Sequence, residues 1–105
     1  MDEHAWTHAT WRVRPGREAE FVEAWLALSE VLAALPARPL WGTLLRSAIE
    51  PGVFYSFGPW GAAADVAAMR DNPAVKVAID RVVSLCTEAS PQLCTQVAHA
   101  TIPSP

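Results

Sequence analysis

Two histidines, two strand-borne arginines and a set of large aromatic side chains are the candidates for chemistry here. His8 sits near the start of the chain and His99 near its end, each in a segment that reads as a strand. In the topology argued below those strands are neighbours. The two imidazoles would then face each other as an acid–base pair, a metal pair or a hydrogen-bonded structural pair. Arg46, and Arg12 on the first strand, are placed to offset an anionic oxygen, or to serve as exposed or dimer-bridging charges. Five Trp in 105 residues are unusual, and Trp11, Trp25, Trp41 and Trp60, with Tyr55 and Phe57, are suitable material for a pocket around a flat ligand. Each of these rings also has a plain alternative as core packing. Asp65, at the start of a helix, reads most simply as a surface carboxylate favoured by the helix dipole.

Bulk properties restrict the function classes. A chain of this length supports one domain over residues 1–105, and 51% hydrophobic content lets it bury a core. Eight basic against eleven acidic residues, scattered along the chain, give no electrostatic footprint for nucleic acid or an anionic membrane. No apolar run nears the roughly 20 residues needed to cross a bilayer. The start, "MDEHAW", is acidic without a signal-peptide apolar region, so a cytoplasmic location is expected. Cys86 and Cys94 read as small buried hydrophobes, or less simply as a disulfide closing a short loop. No CxxC pair or Cys/His cluster predicts a metal, and no Gly-rich phosphate loop predicts a nucleotide cofactor. No cofactor is expected.

The elements that must carry these side chains follow from periodicity. "HAWTHATWRVR" (His4 to Arg14) alternates as a strand, with Ala5, Thr7, Ala9, Trp11 and Val13 on one face and Trp6, His8, Thr10, Arg12 and Arg14 on the other. After Pro15-Gly16 the period becomes helical from Arg17 to Leu35, lining up Phe21, Trp25, Leu28, Leu32 and Leu35. Strands are predicted over Trp41–Ile49 and Val53–Phe57, joined as a hairpin across Glu50-Pro51-Gly52. Gly58-Pro59-Trp60-Gly61 reads as a joint at which Pro59 ends strand pairing. Trp60, held at the rim between sheet and helices, would close a pocket and stack on an aromatic ligand, or seal the core as a plug. An Ala-rich helix then runs to Asp71, Asn72-Pro73 breaks it, and a further helix spans Ala74–Cys86. A last strand is predicted over Gln92–Ile102.

Strand, helix, strand, strand, helix, strand is an α+β, ferredoxin-like βαββαβ arrangement, an antiparallel sheet with helices on one face. Such a sheet should show a polar second face. Here both faces of the first and third strands carry aromatic residues, and the chain has no spare element to cover the second one. A second copy is therefore expected to cover it.

This order of elements, with "WRVRPGREAEFVEAW" (Trp11–Trp25) and "VFYSFGPW" (Val53–Trp60), resembles the antibiotic biosynthesis monooxygenase family of the dimeric α/β barrel superfamily. The resemblance spans roughly His4 to Ile102. It implies a homodimer whose sheets face each other, with a pocket in each subunit between sheet and helices. The implied chemistry is cofactor-independent oxygenation of small, electron-rich aromatic substrates of polyketide or quinol type. The substrate's own anion activates O₂ while the protein excludes water and stabilises a phenolate. The alternative from another class is a non-catalytic ligand-binding or stress-response barrel. Haem-degrading relatives place an Asn, a Trp and a His where this chain has Ala9, Met69 and Ile79, so that activity is not expected.

Overall fold

The computed structural model describes residues 4–105, so the acidic start, Met1 to Glu3, lies outside the described residues. The elements are β1 (Ala5–Val13), α1 (Glu18–Ala33), β2 (Thr43–Arg46), β3 (Val53–Trp60), α2 (Ala63–Asp71), α3 (Pro73–Ser84) and β4 (Cys86–Thr95). The four strands make one antiparallel sheet in the order β2-β3-β1-β4. The α+β, ferredoxin-like arrangement is thus present, with the second helical layer split into α2 and α3.

Local chemistry accounts for the joints. Between β1 and α1, Arg17 N–H donates to Arg14 C=O at 3.0 Å around Pro15 and Gly16. Gly16 takes φ +80°, the positive value that the third position of a type II turn requires. α1 opens with Glu18 and Glu20, carboxylates that suit a helix N-terminus, and Arg17 pairs with Glu20 at 2.7 Å. Asn72 ends α2 and begins α3. Its side-chain oxygen accepts from the N–H groups of Ala74 (2.9 Å) and Val75 (3.3 Å), with Pro73 in the first turn.

Period-two alternation on β1 holds as read. Ala5, Ala9, Trp11 and Val13 are buried on the inner face, beneath the helices, while Trp6, His8, Thr10 and Arg12 take the open face. The register carries both sets onto β3, with Trp11 opposite Phe54, Ala9 opposite Ser56, His8 opposite Phe57 and Thr10 opposite Tyr55. The core comprises the inner face with Phe21, Ala24 and Leu28 of α1, Val66 and Met69 of α2, and Val75 and Val82 of α3. Phe21 sits at its centre, 5.0 Å from Phe54 and 5.7 Å from Trp11 between ring centroids.

Three boundaries differ from the sequence reading, each for a physical reason. First, β3 runs through Pro59 to Trp60, with Trp6 opposite Pro59 and Ala5 opposite Trp60, so Pro59 does not end the pairing. An antiparallel residue points its N–H and C=O to the same side. Pro59 C=O accepts from Leu40 N–H at 2.9 Å, so its missing N–H faces the side where β2 has already stopped. Second, β2 is four residues long, because Trp41 and Gly42 pass directly over Gly58 and leave the ladder. Third, β4 begins at Cys86 and ends at Thr95, not over Gln92–Ile102. Pro91 lies inside it opposite Ala9, which an edge strand permits because that side needs no donor.

Gly58 is required by the crossing of residues 41 and 42. A Cβ there would stand 2.3 Å from Trp41 C=O and 3.3 Å from Gly42 Cα, both backbone atoms. Gly58→Ala is expected to destabilise the fold by about 1–3 kcal/mol, as overpacking against a rigid neighbour does. Thermal melting checks this, and for a domain of this size should fall by roughly 4 °C or more.

Candidate functional site

α1 carries two apolar stripes, not one. Phe21, Ala24 and Leu28 face the core, whereas Val22, Trp25 and Leu26 form a second stripe turned toward the β2 edge of the sheet. On that edge Leu44 and Arg46 alternate onto the inner face, opposite Ser56 and Phe54. Between the stripe and the edge lies an open groove of about 750 Å³, within the size range of small-molecule sites. Phe54 forms its floor and is itself only 3% exposed. Trp25 is half-buried as a wall, its indole packed over Gly42, where an added Cβ would lie 3.7 Å from the ring. The charged side chains lining the groove are Glu18 and Arg46. Arg46 is exposed and makes no ion pair or side-chain hydrogen bond among the described residues. An unpaired guanidinium beside apolar and aromatic walls is a ready partner for an oxyanion on a flat ligand.

A second, shallower hollow of about 380 Å³ lies on the open face, lined by Trp6, His8, Phe57, Cys94 and the residues that follow β4 up to His99. His8 and His99 therefore share one hollow, although His99 is not on a strand: it is exposed in the irregular segment after Thr95. His8 is paired across the sheet with Phe57 and Gln92. No hydrogen bond joins the two histidines among the described residues. Trp6, Trp41 and Phe57 form an aromatic cluster beside the hollow, with centroid distances of 5.5, 6.1 and 6.4 Å. Tyr55 is half-buried on the same face, between Thr10 and Leu45.

The remaining aromatic candidates are in the core. Trp60 is 1% exposed, with its indole N–H donating to Thr7 Oγ1 at 3.1 Å. Trp11 is 6% exposed and donates to Ser56 Oγ at 2.9 Å. Buried indoles whose single donor is satisfied are structural elements, and neither ring lines the groove or the hollow. The nine candidates thus separate into three places. Arg46 and Trp25 meet at the groove, Trp11 and Trp60 lie in the core, and His8, His99, Trp41, Tyr55 and Phe57 lie on the open face or beside it. Sequence reading missed Val22, Leu26, Leu44 and Phe54. The signal for the first two was the i, i+3, i+4 spacing of Val22, Trp25 and Leu26, parallel to the core stripe.

Both cysteines are free thiols, Cys86 buried and Cys94 half-buried. Burial pushes the Cys86 thiol above its ordinary value, with Arg14 opposing weakly. Among the described residues, no three His, Cys, Asp or Glu side chains gather as a metal site, and no helix is long and apolar enough to cross a membrane.

No family model matches the sequence, and neither does any curated protein. Solved structures do match by shape. A variant of SnoaB, a cofactor-independent oxygenase from Streptomyces nogalater, aligns with a TM-score of 0.82 at 18% identity, covering 98% of this chain and 100% of that one. A Deinococcus radiodurans protein named for antibiotic biosynthesis monooxygenases gives 0.79 at 16% identity, over 95% and 99% of the two chains. A Caulobacter crescentus protein of the same name gives 0.75 at 23% identity, over 93% and 92%. Coverage near completeness in both directions, with such low identity, speaks to backbone architecture: the chain has the ferredoxin-like fold of the antibiotic biosynthesis monooxygenases.

Proposed function

We propose that the protein is a homodimeric, cofactor-independent monooxygenase of the cytoplasm, acting on a small aromatic substrate of polyketide or quinol type bound in the groove between α1 and β2. The observation that carries this reading is the pairing of Trp25 and Phe54 with the unpaired Arg46 guanidinium in one groove of suitable size. A phenolic ring lies against Trp25 and above Phe54, with its oxygen toward Arg46. The cation lowers the phenol's pKa, and Glu18 on the same rim offers a carboxylate for the departing proton. The phenolate then supplies the electrons to O₂. A C–O bond forms at a ring carbon, and the resulting hydroperoxide loses water to leave a quinone. Phenol and O₂ thus give quinone and one water, with one oxygen atom retained in the product and no external reductant.

The fold shared with SnoaB, itself a cofactor-independent oxygenase, supports the reading. The rival is a ligand-binding barrel without catalysis, favoured by one observation: both histidines lie outside the groove. Calorimetry with naphthols and their hydroquinones tests the site. The wild type is expected to bind them, and Arg46→Gln to bind about tenfold or more weakly with unchanged melting, the usual value of a hydrogen bond to a charged group. Equal binding by the two proteins would remove Arg46 and the groove from the account.

A further inference from the structure

The groove has a charged end and an apolar end. Gly16, Glu18 and Arg46 lie where α1 begins and β2 finishes, and Trp25, Leu26 and Leu44 lie beyond them. The register fixes this order, because Arg46 stands opposite Phe54, Leu44 opposite Ser56 and Thr43 opposite Phe57. Gly42 precedes Thr43, and the Trp25 ring reaches across from α1 to meet it. A Cβ on Gly42 would lie 3.7 and 3.8 Å from two atoms of the indole's six-membered ring, with no other non-neighbouring atom within 4 Å.

Trp25 is held differently from the other indoles. Trp6, Trp11 and Trp60 each donate a hydrogen bond through Nε1. Trp25 makes no side-chain hydrogen bond among the described residues and is half-buried, so packing alone keeps its ring across the groove. The surface it rests on is fixed. Leu40 N–H donates to Pro59 C=O at 2.9 Å, and a Cβ on Gly58 would stand 3.3 Å from Gly42 Cα. With no side chain at 42, the indole closes onto the main chain itself. Two lengths then measure the space between the ends. α1 rises about 10 Å from Glu18 to Trp25, and β2 covers about 10 Å from Arg46 back to Thr43. A two-ring phenol with its oxygen at Arg46 fills that length. A linear three-ring phenol overruns it by one ring and meets the indole.

We infer that Trp25, backed by Gly42, is the end stop of the groove and restricts the substrate to two fused rings. Trp25 is thus a specificity determinant: it touches the far ring of the ligand and takes no part in proton or electron transfer. The inference rests on the groove being the substrate site and adds its size limit.

Equilibrium dialysis with phenol, 2-naphthol and 2-anthrol tests the stop without requiring turnover. The wild type is expected to bind 2-naphthol at least about tenfold more tightly than 2-anthrol, the usual scale on which an apolar pocket discriminates by size. Trp25→Ala should shift the 2-anthrol to 2-naphthol affinity ratio at least about tenfold toward the larger compound. That ratio cancels the stacking lost for every ligand, and a merely structural ring would not move it. Gly42→Leu retains the indole and pushes it into the groove, so it should weaken 2-naphthol at least about tenfold and phenol far less. It decides the matter alone if Trp25→Ala fails to fold by circular dichroism. A wild type that prefers 2-anthrol, or size ratios unchanged in the folded variants, would overturn the stop while leaving the groove as the site. A wild type that binds none of the three would remove the site and the stop together.

Discussion

Trp60→Ala is expected to lower the unfolding free energy by roughly 3–5 kcal/mol, the range of the most damaging core truncations. The side chain is 1% exposed, it stands in a core cluster with Ala5, Val66 and Met69, and its indole nitrogen is satisfied by Thr7. Truncation removes the packing, opens a cavity that the strand ends cannot close, and strands the Thr7 hydroxyl. Native stabilities are commonly about 5–15 kcal/mol, so such a loss consumes a large share. Trp60→Phe keeps part of the volume but loses the hydrogen bond, and should cost about 1–3 kcal/mol. Urea titration measures both. If Trp60→Ala unfolds at nearly the wild-type midpoint while aromatic ligand binding collapses, Trp60 is a pocket wall and its place in the core is wrong.

The second large effect concerns assembly. Leu45→Asp and Phe57→Asp each put a carboxylate on the open face without touching the helix-covered core. In a dimer built on that face each substitution appears twice, and each buries an unpaired charge at a cost of several kcal/mol. Dimerisation is expected to weaken by at least about a thousandfold. Light scattering at micromolar concentration should then report about 11 kDa for the variants, and about twice that for the wild type. Variants that remain dimeric would move the interface to another surface.

The parts of this fold that could be read in the sequence are those governed by short periods. Alternation along β1 separated Trp6 from Trp11 correctly, because the strand pleat admits no other assignment. Asn72-Pro73 marked the break between α2 and α3 because a cap and a fixed φ act within three residues. What escaped depended on partners distant in sequence. Pro59 looked like a strand end until its neighbours showed that its missing donor faces the side β2 has left. Pro91 hid the first half of β4 because only an edge position tolerates it, and edge positions are set by topology. The same limit applies to the site. Trp11, Trp25 and Trp60 are alike in composition, and only the register and the turn of α1 distinguish the half-buried wall from the two core rings. Arg46 was legible as a candidate cation, but that it forms no ion pair among the described residues is a property of the folded edge.

The most direct test of the central claim is oxygen uptake by the purified, cofactor-free protein supplied with naphthols and hydroquinones. The account predicts O₂ consumption in a one-to-one ratio with quinone formed, without added metal, flavin or nicotinamide, and at a rate sharply reduced in Arg46→Gln. Tight binding of these compounds with O₂ uptake no faster than their spontaneous oxidation would contradict it and leave a ligand-binding barrel in its place.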